Sequence, residues 1–215
     1  MDSQERYVQI LPVAGANLRH NFLPHALLAL GTALIAPLLF GMAHLDSSGS
    51  ALPLEMYLSL TGIILLTPVF QPEQDRSLHE LVSSKWIARP LVYLIRTVYS
   101  FLALAVLVGL AALVMRLNDC DVTLSLYSGT LATAVFLGAL GMLASAISGN
   151  TAVAYMVPLV YYMMNLGGGS RLGAFYLFGM LSGDEKGKSV LWFSGAAMVL
   201  LSLFIEGKLK RSGSE

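Results

Sequence analysis

Two stretches of this 215-residue chain begin like catalytic motifs, and neither completes its chemistry. His79-Glu80-Leu81-Val82-Ser83 starts as the zinc-protease pattern in which two histidines one turn apart hold the metal. Ser83 stands where the second ligand belongs, and one imidazole does not hold zinc. The run from Gly183 through Gly187-Lys188-Ser189 begins like a phosphate-binding loop. It has three residues rather than four between its glycines, and no soluble strand precedes it. His20, His25, His44 and His79 show no metal-ligand spacing, and the single Cys120 rules out an internal disulfide and a Cys-based zinc cluster. No apolar segment carries two acids, or a histidine with an acid, at catalytic spacing. The expectation is a chain with no catalytic site, cofactor or metal of its own.

The remaining polar residues of interest sit inside apolar runs. Tyr155, Tyr162 and Asn165 recur at spacings of seven and three, with Met156, Met163 and Met164 beside them. Such a face suits an amphipathic cargo, because methionine gives soft, adaptable surface; the competing reading is an aromatic belt with ordinary packing. Arg96 lies about 10 Å along an apolar segment that starts near Pro90. A charge at that depth either faces a polar interior or snorkels to the lipid phosphates.

The composition explains why these residues stand out. Hydrophobic residues make up 56% of the chain and charged residues 12%, with a mean hydropathy of +0.70. A soluble domain carries roughly 25% charged residues, so there is too little charge here to coat a water-facing surface. The formal net charge is zero, which removes any global attraction to nucleic acid. An integral membrane protein is left.

Distances between charges then locate the spans. Uncharged runs of 26, 17, 19, 49 and 17 residues follow Arg19, Glu55, Arg96, Asp121 and Lys188. About 20 apolar residues cross a bilayer core, and the 49-residue run holds two crossings joined at Ser148-Gly149-Asn150. The reading is a single all-α transmembrane domain over 1–215 with six spans, near 23–44, 52–70, 90–115, 124–147, 151–166 and 189–205. Residues 1–20 read as an amphipathic lead-in rather than a cleaved signal peptide. No internal repeat is visible. With both termini inside, eight Lys/Arg fall in inner segments and four (Arg116, Arg171, Lys186, Lys188) in outer ones. That bias places both termini in the cytoplasm of a multi-pass cell-membrane protein. Glu55 is expected at the outer interface. Residues 170–181, apolar but too short to span, are expected as an outer interfacial or re-entrant helix.

The long charged loop between spans two and three predicts a short amphipathic helix over 72–86. Pro72 suits its first turn, Glu73 and Asp75 favour the positive end of its dipole, and Lys85 favours the other end. Arg76 and Glu80 are four apart and can pair, while Leu78, Leu81 and Val82 form an apolar stripe.

The pattern Glu73-x-x-x-Ser77-x-x-Glu80-Leu81-x-x-Ser84, followed closely by the span opening Pro90-Leu91, resembles the permease subunits of ABC-2 type transporters. Arg76 stands where that family usually has glycine, and Ser84-Lys85 replaces its Ser/Thr-Pro. The resemblance implies six spans, cytoplasmic termini, and short outer helices that cap the path between the last two spans. It also implies a cytoplasmic coupling helix with Glu73, Arg76, Ser77, Glu80, Leu81 and Ser84 at the contact with an ATPase. The implied partners are two copies of an ABC ATPase subunit, which carries the ATP and Mg, and a second permease chain as homodimer or heterodimer, all in a lipid bilayer. The implied activity is export of an amphipathic cargo, peptide first, then lipid or drug. An ion-gradient-driven secondary transporter and a membrane scaffold are the alternatives.

Overall fold

A computed structural model describes residues 21–41, 43–73, 89–183 and 185–209. Among them the chain is all helix and turn, with no strand. Six helical segments follow one another: α1 (Leu23–Phe40), α2 (Ser47–Gln71), α3 (Arg89–Leu117), α4 (Leu124–Ser148), α5 (Thr151–Gly168) and α6 (Lys186–Leu209). Five of them, all but α5, are long and apolar enough to cross a membrane. The sequence reading of six is thus met by five. The 18 residues of α5 include three tyrosines, Pro158 and Asn165, which lower its apolar content. The lead-in over 1–20 and nearly all of 72–86 lie outside the described residues. Arg76, Ser77, Glu80, Leu81 and Ser84 are among those, and Glu73 closes the described part of its segment.

Local chemistry sets the helix ends. Pro24 opens α1, and Gly41 closes it in the left-handed conformation with its N–H on Pro37 O at 3.0 Å. Thr123 caps α4 by accepting the Leu126 N–H at 3.1 Å. Asn150 caps α5 by accepting the Ala152 N–H at 2.8 Å, so the α4–α5 turn falls where Ser148-Gly149-Asn150 predicts it.

α4 is the centre of the bundle. In α4 72% of the most apolar stretch is buried and in α2 67%, against 11% in α1. Small residues let backbones meet: a Cβ at Gly62 would collide with Ala134 O, and one at Gly138 would stand 2.5 Å from Gly62 O. Gly62 matches Ala134 and Gly138, and Thr67 matches Gly141, so α2 and α4 run in the same direction. On the other flank Lys188 meets Thr133 and Gly195 approaches Phe136, so α6 also runs parallel to α4. Parallel neighbours need a return between them. α3 returns the chain from α2 to α4, and α5 with the stretch after it returns it from α4 to α6.

α2 is not one regular helix. Ser47–Ala51 is α-helical, Leu52–Tyr57 widens into a π-turn, Leu58–Leu60 tightens to 3-10, and Thr61–Leu66 is α-helical again. Pro53 sits at the start of the widened turn, where its missing N–H interrupts the ladder. Between α5 and α6 the expected outer helix is instead two 3-10 pieces, Gly169–Phe175 and Met180–Ser182, joined by an irregular stretch. Leu177 and Phe178 of that stretch are fully buried, so it tucks into the bundle.

Candidate functional site

Residues 175–181 expose backbone polar groups in an apolar surrounding, and each needs a partner there. Side chains from the neighbouring helices supply them. Glu55, in the widened turn of α2, accepts the Met180 N–H at 3.3 Å and the Leu181 N–H at 3.1 Å. The Lys188 ammonium, two residues into α6, forms an ion pair with Glu55 and donates to Leu177 O and to Thr133 Oγ1, the latter at 2.9 Å. The Thr133 hydroxyl lies 3.1 Å from Leu177 O and 3.1 Å from Gly129 O. Asn165 of α5 accepts the Leu177 N–H at 2.9 Å and donates to Tyr161 O at 3.0 Å. Tyr161 donates to Phe175 O at 2.8 Å, and Tyr162 donates to Met56 O at 2.6 Å, beside Glu55.

This cluster lies deep. Thr133 is nine residues beyond Leu124, or about 13 Å along α4 at 1.5 Å per residue. The Glu55 side chain is fully buried and that of Lys188 is 8% exposed. The expectation of Glu55 at an exposed interface is therefore corrected: 175–181 fold over it and its partner lies on α6. The Tyr176 phenol, at the rim, is held above its ordinary pKa by burial first and by the nearby Glu55 carboxylate second.

A second set of polar residues lies at the opposite end, where α2, α4 and α6 finish and α3 begins. Arg96 is 3% exposed, and its Nη1 donates to Val69 O at 3.2 Å near the end of α2. A side chain so placed is not extended to the surface. Ser100, Ser145, Ser202 and Glu206 are buried on the same end. Arg96 thereby fastens the start of α3 to the last turns of α2, on either side of residues 74–88.

Of the residues read as a cargo path, Tyr155, Tyr162 and Asn165 share the face of α5 that packs inward. Met156 does not join them; it is 63% exposed on the opposite face with Met163 and Met164. Lys188 and Thr133 are not among the site residues that the sequence suggests. Lys188 carried one signal, since it counts against the charge bias that orients the chain. Once buried and paired, it is no longer a loop cation. Among the described residues no group of three His, Cys, Asp or Glu comes together as a metal site. Glu55 is enclosed by an ammonium and two N–H groups. That arrangement fastens backbone.

No protein-family model matches the chain, and neither a curated protein nor a solved structure matches it.

Proposed function

We propose that the chain is the transmembrane permease subunit of an ATP-driven ABC exporter, moving an amphipathic cargo with peptide as the first candidate. The supporting observation is the segment between α5 and α6, two short turns folded over the ends of α2 and α4. The ABC-2 resemblance puts short capping elements between the last two spans, at the mouth of the path. In this reading α5 also crosses, which makes six crossings, both termini are cytoplasmic, and 72–86 couples to the ATPase. Two ATPase copies and a second permease chain complete the assembly, and ATP with Mg binds in the ATPase. ATP closure moves 72–86. Because Arg96 ties α3 to Val69, that motion reaches α2 and α3 together. ATP shifts the two states only through differential contact with them, and the coupling segment is where the contact differs.

The test is co-purification of the chain with a candidate ATPase subunit, then cargo-stimulated ATP hydrolysis with Glu80→Lys as the variant. Loss of either with the permease still inserted supports the reading, while wild-type behaviour in both removes it. A second reading, an ion-gradient-driven carrier, is favoured by the buried Glu55, Lys188, Arg96 and Glu206. It predicts cargo flux driven by an ion gradient in vesicles that contain no ATPase.

A further inference from the structure

The geometry points to residues 175–181 being a gate that the Glu55–Lys188 ion pair holds shut. The bonds from Leu177, Met180 and Leu181 backbone to the bundle all run through side chains: Glu55 on α2, Thr133 on α4, Asn165 on α5 and Lys188 on α6. Phe175 O is likewise held by a side chain, the Tyr161 hydroxyl of α5, and the backbone-to-backbone bonds of the stretch are short-range, from the N–H groups of Tyr176, Ser182 and Gly183 to carbonyls three residues back. Nothing of the continuous ladder that makes a helix rigid crosses from this strap to its neighbours.

The strap also has hinges. Gly169 (φ 56, ψ −152) and Gly173 (φ 57, ψ −129) occupy backbone regions that glycine alone adopts without strain. A Cβ at either would meet nothing within 4 Å, so glycine is needed there for conformation and not for room.

The ion pair joins these facts. Its two members lie on different helices, and each also holds strap backbone. Glu55 takes two N–H groups, and Lys188 takes the Leu177 carbonyl. Separating α2 from α6 breaks the pair and loosens three strap bonds in one event. α2 reaches from Glu55 to Val69, so movement at the Arg96 end bears directly on the pair. Only this last link rests on the exporter reading; a strap released by pair breakage stands without it.

The experiment uses the full chain in lipid nanodiscs, which leave both faces open to reagent. Cys120→Ala removes the native thiol and Leu177→Cys, at a fully buried position, reports opening through maleimide labelling. A second pair, Gly129→Cys with Met180→Cys, staples strap to α4: a Cβ at Gly129 stands 2.9 Å from Met180 Cγ, within disulfide reach. The gate predicts slow labelling in the parent, about 100-fold faster labelling in Lys188→Met, and near-complete protection in the oxidised staple. Equal rates in Lys188→Met and parent overturn it, as do equal rates in oxidised and reduced staple. If Lys188→Met does not fold, the staple comparison decides alone, with the ion pair intact. No ATPase or cargo is present, so the result is independent of whether the ATPase co-purifies.

Discussion

Removing Lys188 alone should cost about as much as removing the whole pair. Lys188→Met leaves the Glu55 carboxylate fully buried with only the Met180 and Leu181 N–H groups as partners. Stranding one member of a buried ion pair costs about 3–5 kcal/mol. Glu55→Gln is milder, because the ammonium keeps Thr133 Oγ1 and Leu177 O as acceptors. Its cost is about 1.5–3 kcal/mol, the worth of hydrogen bonds to a charged group. In Glu55→Gln/Lys188→Met no charge remains, and the Gln oxygen can still accept a strap N–H. The double variant should fall short of the summed single costs by about 2–3 kcal/mol of coupling. Cys120 is the only cysteine and is buried, so a fluorogenic maleimide reads unfolding directly. At about 2–4 °C per kcal/mol for a chain of this size, Lys188→Met should lower the midpoint by roughly 6–20 °C. Additive shifts, or a Lys188→Met midpoint equal to wild type, would refute the assignment of this pair as the fastening of 175–181.

Gly62→Ala drives a Cβ against the Ala134 carbonyl and should cost about 1–3 kcal/mol as overpacking. Gly31→Ala, where a Cβ meets nothing within 4 Å, should leave the same melting midpoint unchanged or raised. Under the proposed exporter function, Arg96→Met removes the bond to Val69 O, so a candidate ATPase subunit should still co-purify while cargo-stimulated hydrolysis falls; full stimulation argues against Arg96 as the link. In a Cys120→Ala background, Ser77→Cys and Ser170→Cys should label from opposite membrane faces, cytoplasmic and outer. Labelling of both from one face rejects the six-crossing topology.

The helix positions were legible because charge marks the edge of an apolar slab, and five of the six expected spans appear with shifted ends. Ser148-Gly149-Asn150 was readable for a local reason: asparagine caps, and glycine takes the left-handed turn. The same rule hid the site. Glu55 and Lys188 stand at the borders of their uncharged runs, and a charge at a border reads as interfacial. Their burial comes from 175–181 folding over them, a long-range event that no window of residues reports. Periodicity gathered Tyr155, Tyr162 and Asn165 onto one face of α5, and Met156 was added to the path as a neighbour in sequence. Its side chain falls on the outward side, one position along from Tyr155. The break in α2 left a readable trace in Pro53, though proline alone does not say that the turn widens.

The separation of Glu55 from its counter-ion has a consequence for how the chain is made. Lys188 follows Glu55 by 133 residues, so α2 leaves the ribosome long before its partner exists. At about 5–20 residues per second that interval is roughly 7–27 s. A carboxylate in the middle of an inserting segment costs about 2.5–3.5 kcal/mol on the translocon scale. During synthesis the Glu55 end of α2 must therefore wait near the headgroups, and its final depth is set only when α6 arrives. The last helix seats the second one. Nascent chains arrested before Lys188 should carry Glu55 in contact with water, and those arrested after α6 has emerged should not.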